Sequence, residues 1–276
     1  MNANDLTFGI EIETTIPAGR IPVGSYRVGT QVADLPPGWR AKYDGSIAAG
    51  RGRQGCEFVS PILQGAAGIR QVIEVVEKLK QLGAKVNAST GVHVHVGWNG
   101  TAKALARLVT LVANFEKAIF ASTGTKRRET GDWCRGLQRH GSCDRAAVQS
   151  QQNRYHVLNL SNLATGRTQT VEFRAFAGSL NALKLVSYIR LCVGLVERAH
   201  KVARATNFTA KKPVATSPIH RNGEGQTELT RLFYQLGWTK GRVSHTHGDL
   251  TCDRAPTIKQ SKKELMRLAK KYDAQP

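Results

Sequence analysis

The stretch Phe8-Gly9-Ile10-Glu11-Ile12-Glu13 decides how this chain is read. Side chains on a strand alternate between faces, so Phe8, Ile10 and Ile12 point one way. Glu11 and Glu13 then share the opposite face, about 7 Å apart along the strand at the usual rise. Two carboxylates held that close repel unless something positive lies between them. Alone, the pattern also fits a half-buried strand with a solvated acidic face. Three later strands again place ionisable side chains on one face, and together they make that face a candidate site.

Working outward, Trp39 to Tyr43 alternates and ends at Asp44-Gly45-Ser46, a turn signature. Ser46 to Gly55 is glycine-rich and basic through Arg51 and Arg53, and reads as a mobile loop near the site. It lacks Walker spacing, so it is a weak phosphate signal. Cys56 to Ser60 is a short strand stopped by Pro61, with Glu57 on the face opposite Phe58. Lys85 to Trp98 reads as a second long strand in which Val92, Val94 and Val96 face one side and His93 and His95 the other. A lone strand histidine is usually packing. Two that alternate with valines, between Gly91 and Gly97, suit a metal or an anion better. Tyr155 to Leu160 and Thr170 to Phe176 form a strand pair around Gly166. The second strand puts Glu172 and Arg174 on one face, where they also suit a plain structural ion pair.

Between the strands, apolar residues recur at helical spacing over 68–82, 101–122 and 179–206, with Thr101 as an N-cap. Residues 124–144 read as a basic loop, 211–224 as a linker, and 226–236 and 259–272 as a short and a basic helix. Antiparallel-type strands with helices between hairpins make the fold class α+β, not doubly wound. Two parts are expected: a catalytic domain over 1–206 and a basic helical extension over 207–276, packed on the same domain.

The chain has 276 residues, of which 41% are hydrophobic, and a mean hydropathy of −0.32, as in a soluble globular protein with ample core. No apolar run reaches membrane-spanning length, and the start is polar, so neither an anchor nor a signal peptide is expected. Five cysteines without close pairing suggest a reducing, cytoplasmic setting. Cys134, His140 and Cys143 with His245, His247 or Cys252 match no zinc-finger spacing, and zinc is a minor reading. The net charge of +20 is the unusual property, and it is spread along the chain. A field of one sign steers anionic partners, among them nucleic acid, nucleotides and acidic polymers.

Taken together, Glu11-x-Glu13, Asp44-Gly45-Ser46, Glu57-Phe58-Val59-Ser60-Pro61, His93-x-His95 and Glu172-Phe173-Arg174 resemble, in this order, the amidoligase family of carboxylate–amine ligases. The resemblance covers roughly residues 7 to 200. It implies a glutamine synthetase-like fold, a curved antiparallel sheet with the ionisable side chains on its concave face and helices packed on the convex one. It also implies that Glu11, Glu13, Glu57, His93 and Glu172 hold two or more Mg²⁺ or Mn²⁺ ions that bind ATP. Hard divalent cations do favour oxygen ligands and share carboxylates with nucleotide phosphates, and bound cations offset the repulsion among clustered glutamates. By the same resemblance Arg174 neutralises charge on the transferred phosphoryl group and His95 orients the substrate carboxylate. Asp44 holds or deprotonates the amine, and Arg127, Arg128 and Ser46 contact the nucleotide.

The implied activity is ATP-dependent amide formation through an acyl phosphate. One substrate is expected to be an amino acid or peptide, and a polyanion such as DNA carrying a modified base is a further candidate. Two other classes stay open: a phosphagen-type kinase, which would stop at phosphoryl transfer, and a non-catalytic nucleic-acid-binding module.

Overall fold

The computed structural model describes residues 3–202, 227–239, 250 and 252–276. The linker expected over 211–224, and His245 and His247, lie outside the described residues. In chain order the elements are β1 (Thr7–Pro17), β2 (Thr30–Gln31), β3 (Arg40–Tyr43), β4 (Arg53–Val59), β5 (Leu63–Gln64), α1 (Gly65–Gln81) and β6 (Gly91–Gly97). There follow α2 (Ala102–Ala121), α3 (Arg127–Thr130), α4 (Cys143–Gln152), β7 (Leu158–Asn159), α5 (Ser161–Ala164), β8 (Thr170–Ala177), α6 (Ala182–Lys201), α7 (Glu228–Gln235) and α8 (Ile258–Asp273).

Among the described residues, the strands form one antiparallel sheet in the order β2-β3-β4-β1-β6-β8-β7, with β5 pairing beside the start of β1. The sheet is α+β in character and not closed into a barrel. The alternation in β1 sorts as expected: Phe8, Ile10 and Ile12 are buried. Their face carries the helices. Gly68 of α1 lies so close to Phe8 that a Cβ there would meet its ring at 2.9 Å. Only glycine allows that approach. On β8, Phe176 stacks on Tyr188 of α6, with ring centroids 4.2 Å apart.

α6 is buried nearly all round, as befits a helix packed between the sheet and α1, α2 and α8. Its Arg190 is fully buried and donates to the carbonyls of Leu250 (2.8 Å) and Pro256 (2.5 Å) and to Ser261 Oγ (3.0 Å). α2 starts where Thr101 caps it, accepting the Ala104 N–H at 3.2 Å.

Three expectations are corrected. The second long strand begins at Gly91, because Asn87 folds the preceding residues into a turn by accepting the Ser89 N–H. Residues 124–144 are not all loop: they contain α3 and the start of α4, a mostly polar helix in which only Ala146 and Ser150 are buried. Its apolar stripe is too thin to show as periodicity. The loop expected from Ser46 enters β4 at Arg53, whose guanidinium donates to the carbonyls of Thr15 (2.5 Å) and Gly83 (2.7 Å).

Candidate active site

The strand register brings the ionisable residues together. Glu13 pairs with Glu57 across β1 and β4, Glu11 with His93 across β1 and β6, and His95 with Glu172 across β6 and β8. A register shift between Val92 and Val94 inserts a bulge opposite β6. It lets Phe173 and Phe176 both pair with helix-facing valines, while Glu172 and Arg174 both stay on the site face. Strict alternation would have put Phe176 among the charges. Bulges re-aim side chains in this way beside active sites.

His93 stands at the centre. Its Nδ1 lies 3.0 Å from Glu11 and 3.7 Å from Glu172, and its Nε2 lies 3.5 Å from Glu13. Two overlapping groups result, Glu11–His93–Glu172 and Glu13–Glu57–His93, each with donor atoms within 4.8 Å of one another. A neutral imidazole has one free lone pair, so His93 can serve as a ligand in only one group at a time. His95 Nε2 is 3.2 Å from Glu11 Oε1 but off the hydrogen-bonding direction, so that contact is charge against charge. Arg174 pairs with Glu172, whose other oxygen takes the Asn159 side-chain N–H at 2.5 Å.

The electrostatics follow from four carboxylates on one buried face. Burial opposes ionisation of Glu11, but the His95 charge and the hydrogen bond with His93 outweigh it and hold the carboxyl well below the usual range. Glu172 is lowered against the same burial by His95, Arg174 and His93. Burial would lower His95, yet Glu11 and the other carboxylates lift it to about 9. Glu57 has no such partner: burial, then Glu11 and Glu13, push it up to about 9, with Lys42 only partly compensating. Cys56 beside it is buried and pushed up to about 12, first by burial and then by Glu57, which leaves an inert thiol.

Glu13, His93 and Arg174 form part of the lining of a cavity of about 730 Å³. Asp44, Ser46, Arg127 and Arg128 line it too, so these sequence-chosen residues converge on one space. Glu11, Glu57, His95 and Glu172 do not line it and reach it through His93, Glu13 and Arg174. Ser46 is tied to Asp44, whose Oδ1 accepts both its N–H (2.8 Å) and its hydroxyl (2.7 Å).

The cavity also has a wall that sequence reasoning missed. Trp133 packs edge-on to Tyr155, and Arg154 lies over the Tyr155 ring and donates to the Tyr26 hydroxyl at 3.0 Å. Among the described residues, no carboxylate lies within ion-pair distance of Arg127, Arg128 or Arg154. Trp133 is 55% exposed, whereas Trp39, Trp98 and Trp238 are buried. The adjacent Arg154-Tyr155 was the one sequence cue.

The donor set tests well for a divalent cation. Carboxylate oxygens with one imidazole suit Mg²⁺ or Mn²⁺, and Glu57 lacks a positive partner strong enough to keep it ionised. The cysteines do not gather into a zinc site among the described residues. Cys134 donates to the Arg128 carbonyl, Cys143 bonds Thr110 and the Ala106 carbonyl, and His140 pairs with His156 at 3.0 Å. No helix among the described residues is long and apolar enough to cross a membrane.

No curated protein matches the sequence significantly. Among solved structures, the chain is similar to a bifunctional glutathione synthetase from Pasteurella multocida at 10% identity and a TM-score of 0.44, covering 99% of this chain and 52% of that one. It is similar to the complex of the prokaryotic ubiquitin-like protein Pup with its ligase PafA at 11% identity, 99% and 64% coverage, and a TM-score of 0.42. It is also similar to the GmaS/ADP complex at 12% identity, 98% and 70% coverage, and a TM-score of 0.41. The chain thus spans about half the length of the first of these and under two thirds of the second. A family model described as putative amidoligase enzyme matches residues 4–142 and 137–196, well over half of the chain. The chain belongs to the putative amidoligase enzyme family.

Proposed function

We propose that this chain is an ATP-dependent carboxylate–amine ligase with a glutamine synthetase-like catalytic core. The observation that carries the reading is the convergence of Glu11, Glu13, Glu57, His93 and Glu172 on one sheet face, beside a cavity whose lining includes Arg127, Arg128, Arg154 and Arg174. A pure binding module has no use for clustered carboxylates beside phosphate. In this reading a substrate carboxylate oxygen attacks the terminal phosphorus of ATP and ADP leaves. The amine then attacks the acyl carbon, and inorganic phosphate departs with the C–O bond.

Glu11, Glu13, Glu57, His93 and Glu172 would hold two or more Mg²⁺ or Mn²⁺ ions. When bound, these supply charge stabilisation for the phosphates. Arg174, fixed by Glu172, keeps its Nε–H without a partner and beside the cavity, available to phosphoryl oxygens. Arg127 and Arg128 contact the nucleotide's phosphates from the cavity wall, with Ser46 on the rim. Asp44, also in the cavity lining, holds the incoming amine. His95, charged and set against Glu11, orients the acid from beneath.

The finer identity of a substrate or its carrier rests on charge. A net charge of +20 favours a polyanion, DNA carrying a modified base among them. Binding that does not weaken with added salt would count against a polyanion.

The ligase reading is tested by incubation with ATP, Mg²⁺ and pooled amino acids, with and without DNA, read by mass spectrometry. ADP formation that requires both an acid and an amine, with a new amide, is the expected result. A phosphorylated product that accumulates whatever amine is offered would mean a kinase instead.

Glu57 gives a pH prediction. Its carboxyl, lifted to about 9, carries a proton at neutral pH, and a cation must displace it. Mg²⁺ affinity should therefore rise with pH towards 9, and binding at pH 7 should release a proton. Calorimetry in two buffers of different ionisation enthalpy measures that proton. Identical heats in both would mean that no proton leaves and that Glu57 is not held protonated before the cation binds.

A further inference from the structure

We propose that Tyr272 and Gln275, at the end of α8, are positioning residues that hold α3 so that Arg127 and Arg128 stay in the cavity wall. Only the assignment of those arginines to the nucleotide rests on the ligase reading.

A helix of four residues does not sustain itself, because one turn fixes several dihedrals for very few hydrogen bonds. α3 is therefore held from outside, and the structure shows by what. On the sheet side, Arg128 Nη2 donates to the Arg174 carbonyl at 2.6 Å. Its guanidinium lies against Gly91, where an added Cβ would come within 3.1 Å of it.

On the other side the contacts come from α8 and α2. The Tyr272 hydroxyl donates to Glu129 of α3, and Lys117 of α2 donates to the same carboxylate at 2.9 and 3.0 Å. Lys117 and Lys126 both stand over the Tyr272 ring, 5.1 and 5.9 Å from its centroid. Gln275 fixes the segment that leads into α3. Its Oε1 accepts the Lys126 N–H at 3.1 Å, its Nε2 donates to the Gly124 carbonyl at 2.9 Å, and its carbonyl accepts from Lys126 Nζ. One turn thus faces two ways, with Glu129 towards α8 and Arg127 and Arg128 towards the cavity. Tyr272 is 1% exposed, and a phenylalanine would fill the same space. Its hydroxyl adds only the bond to α3.

Tyr272→Phe keeps the ring and both lysine contacts and deletes that one bond, and Gln275→Ala deletes the two side-chain bonds to Lys126 and Gly124 while keeping the backbone one. Each should speed hydrogen exchange at the Glu129, Thr130 and Gly131 amides, which donate to Lys126 and Arg127, by about tenfold, leaving the unfolding midpoint near that of the parent. This readout needs neither ATP nor turnover, so it stands whether or not the ligase reading does. In the ligation assay, the KM for ATP should rise by about tenfold with kcat little changed. Adding Tyr272→Phe to an Arg127→Ala/Arg128→Ala chain should then cost nothing more, since its effect runs through those side chains. Unchanged exchange at these amides, or an additive loss in the combined variant, would overturn the proposal.

Discussion

Glu13→Gln should lower ATP-dependent ligation by about a thousandfold while the chain stays folded. Glu13 has two jobs. Its Oε2 accepts the Gly91 N–H at 2.5 Å, which fixes the start of β6, and its charge faces His93 and pairs in register with Glu57. Glutamine keeps an acceptor for Gly91 and removes the charge a cation needs. On electrostatic grounds alone, Glu13→Ala looks the cleaner change, because it relieves repulsion. The Gly91 contact reverses that judgement: alanine leaves a buried N–H unpaired, at a cost of about 1–3 kcal/mol. Measuring ADP release and the unfolding midpoint on both variants separates the two jobs. A glutamine variant with near-parental turnover would remove Glu13 from the site.

The second large effect is expected at Arg174, which is 4% exposed and bonded to Glu172. Lysine can reach Glu172 but has no second row of donors, so it restores the ion pair without the fork. Arg174→Lys should cut turnover by more than about tenfold, each factor of ten being about 1.4 kcal/mol of barrier. Arg174→Ala should in addition destabilise the fold by about 1–3 kcal/mol, since buried Glu172 would lose its hydrogen-bonded guanidinium and keep only Asn159 and the neighbouring histidines. If the lysine variant turns over normally, Arg174 serves Glu172 alone.

Much of this site could be read from the sequence because strands carry a period of two. Glu11 with Glu13, His93 with His95 and Glu172 with Arg174 are each two residues apart, and the structure keeps each pair on one face. The helices over 102–121 and 182–201 announced themselves by apolar spacing, and Thr101 marked a true cap. What stayed hidden depends on contacts between distant segments. The bulge on β8 exists only in its pairing with β6. α4 buries too few side chains to show a period. Tyr26, Trp133, Arg154 and Tyr155 meet through the turns between elements, and no local pattern links residue 26 to residue 154.

The exposed ring of Trp133 gives the molecule an optical handle of its own. Indole emission shifts and quenches with solvent access, and three of the four tryptophans are sealed inside at 0, 6 and 4% exposure. A small aqueous quencher would therefore reach a single fluorophore, one that forms part of the cavity lining. Occupancy of that space by any compound can be followed from the unlabelled chain, one wavelength scan at a time, before a substrate is known.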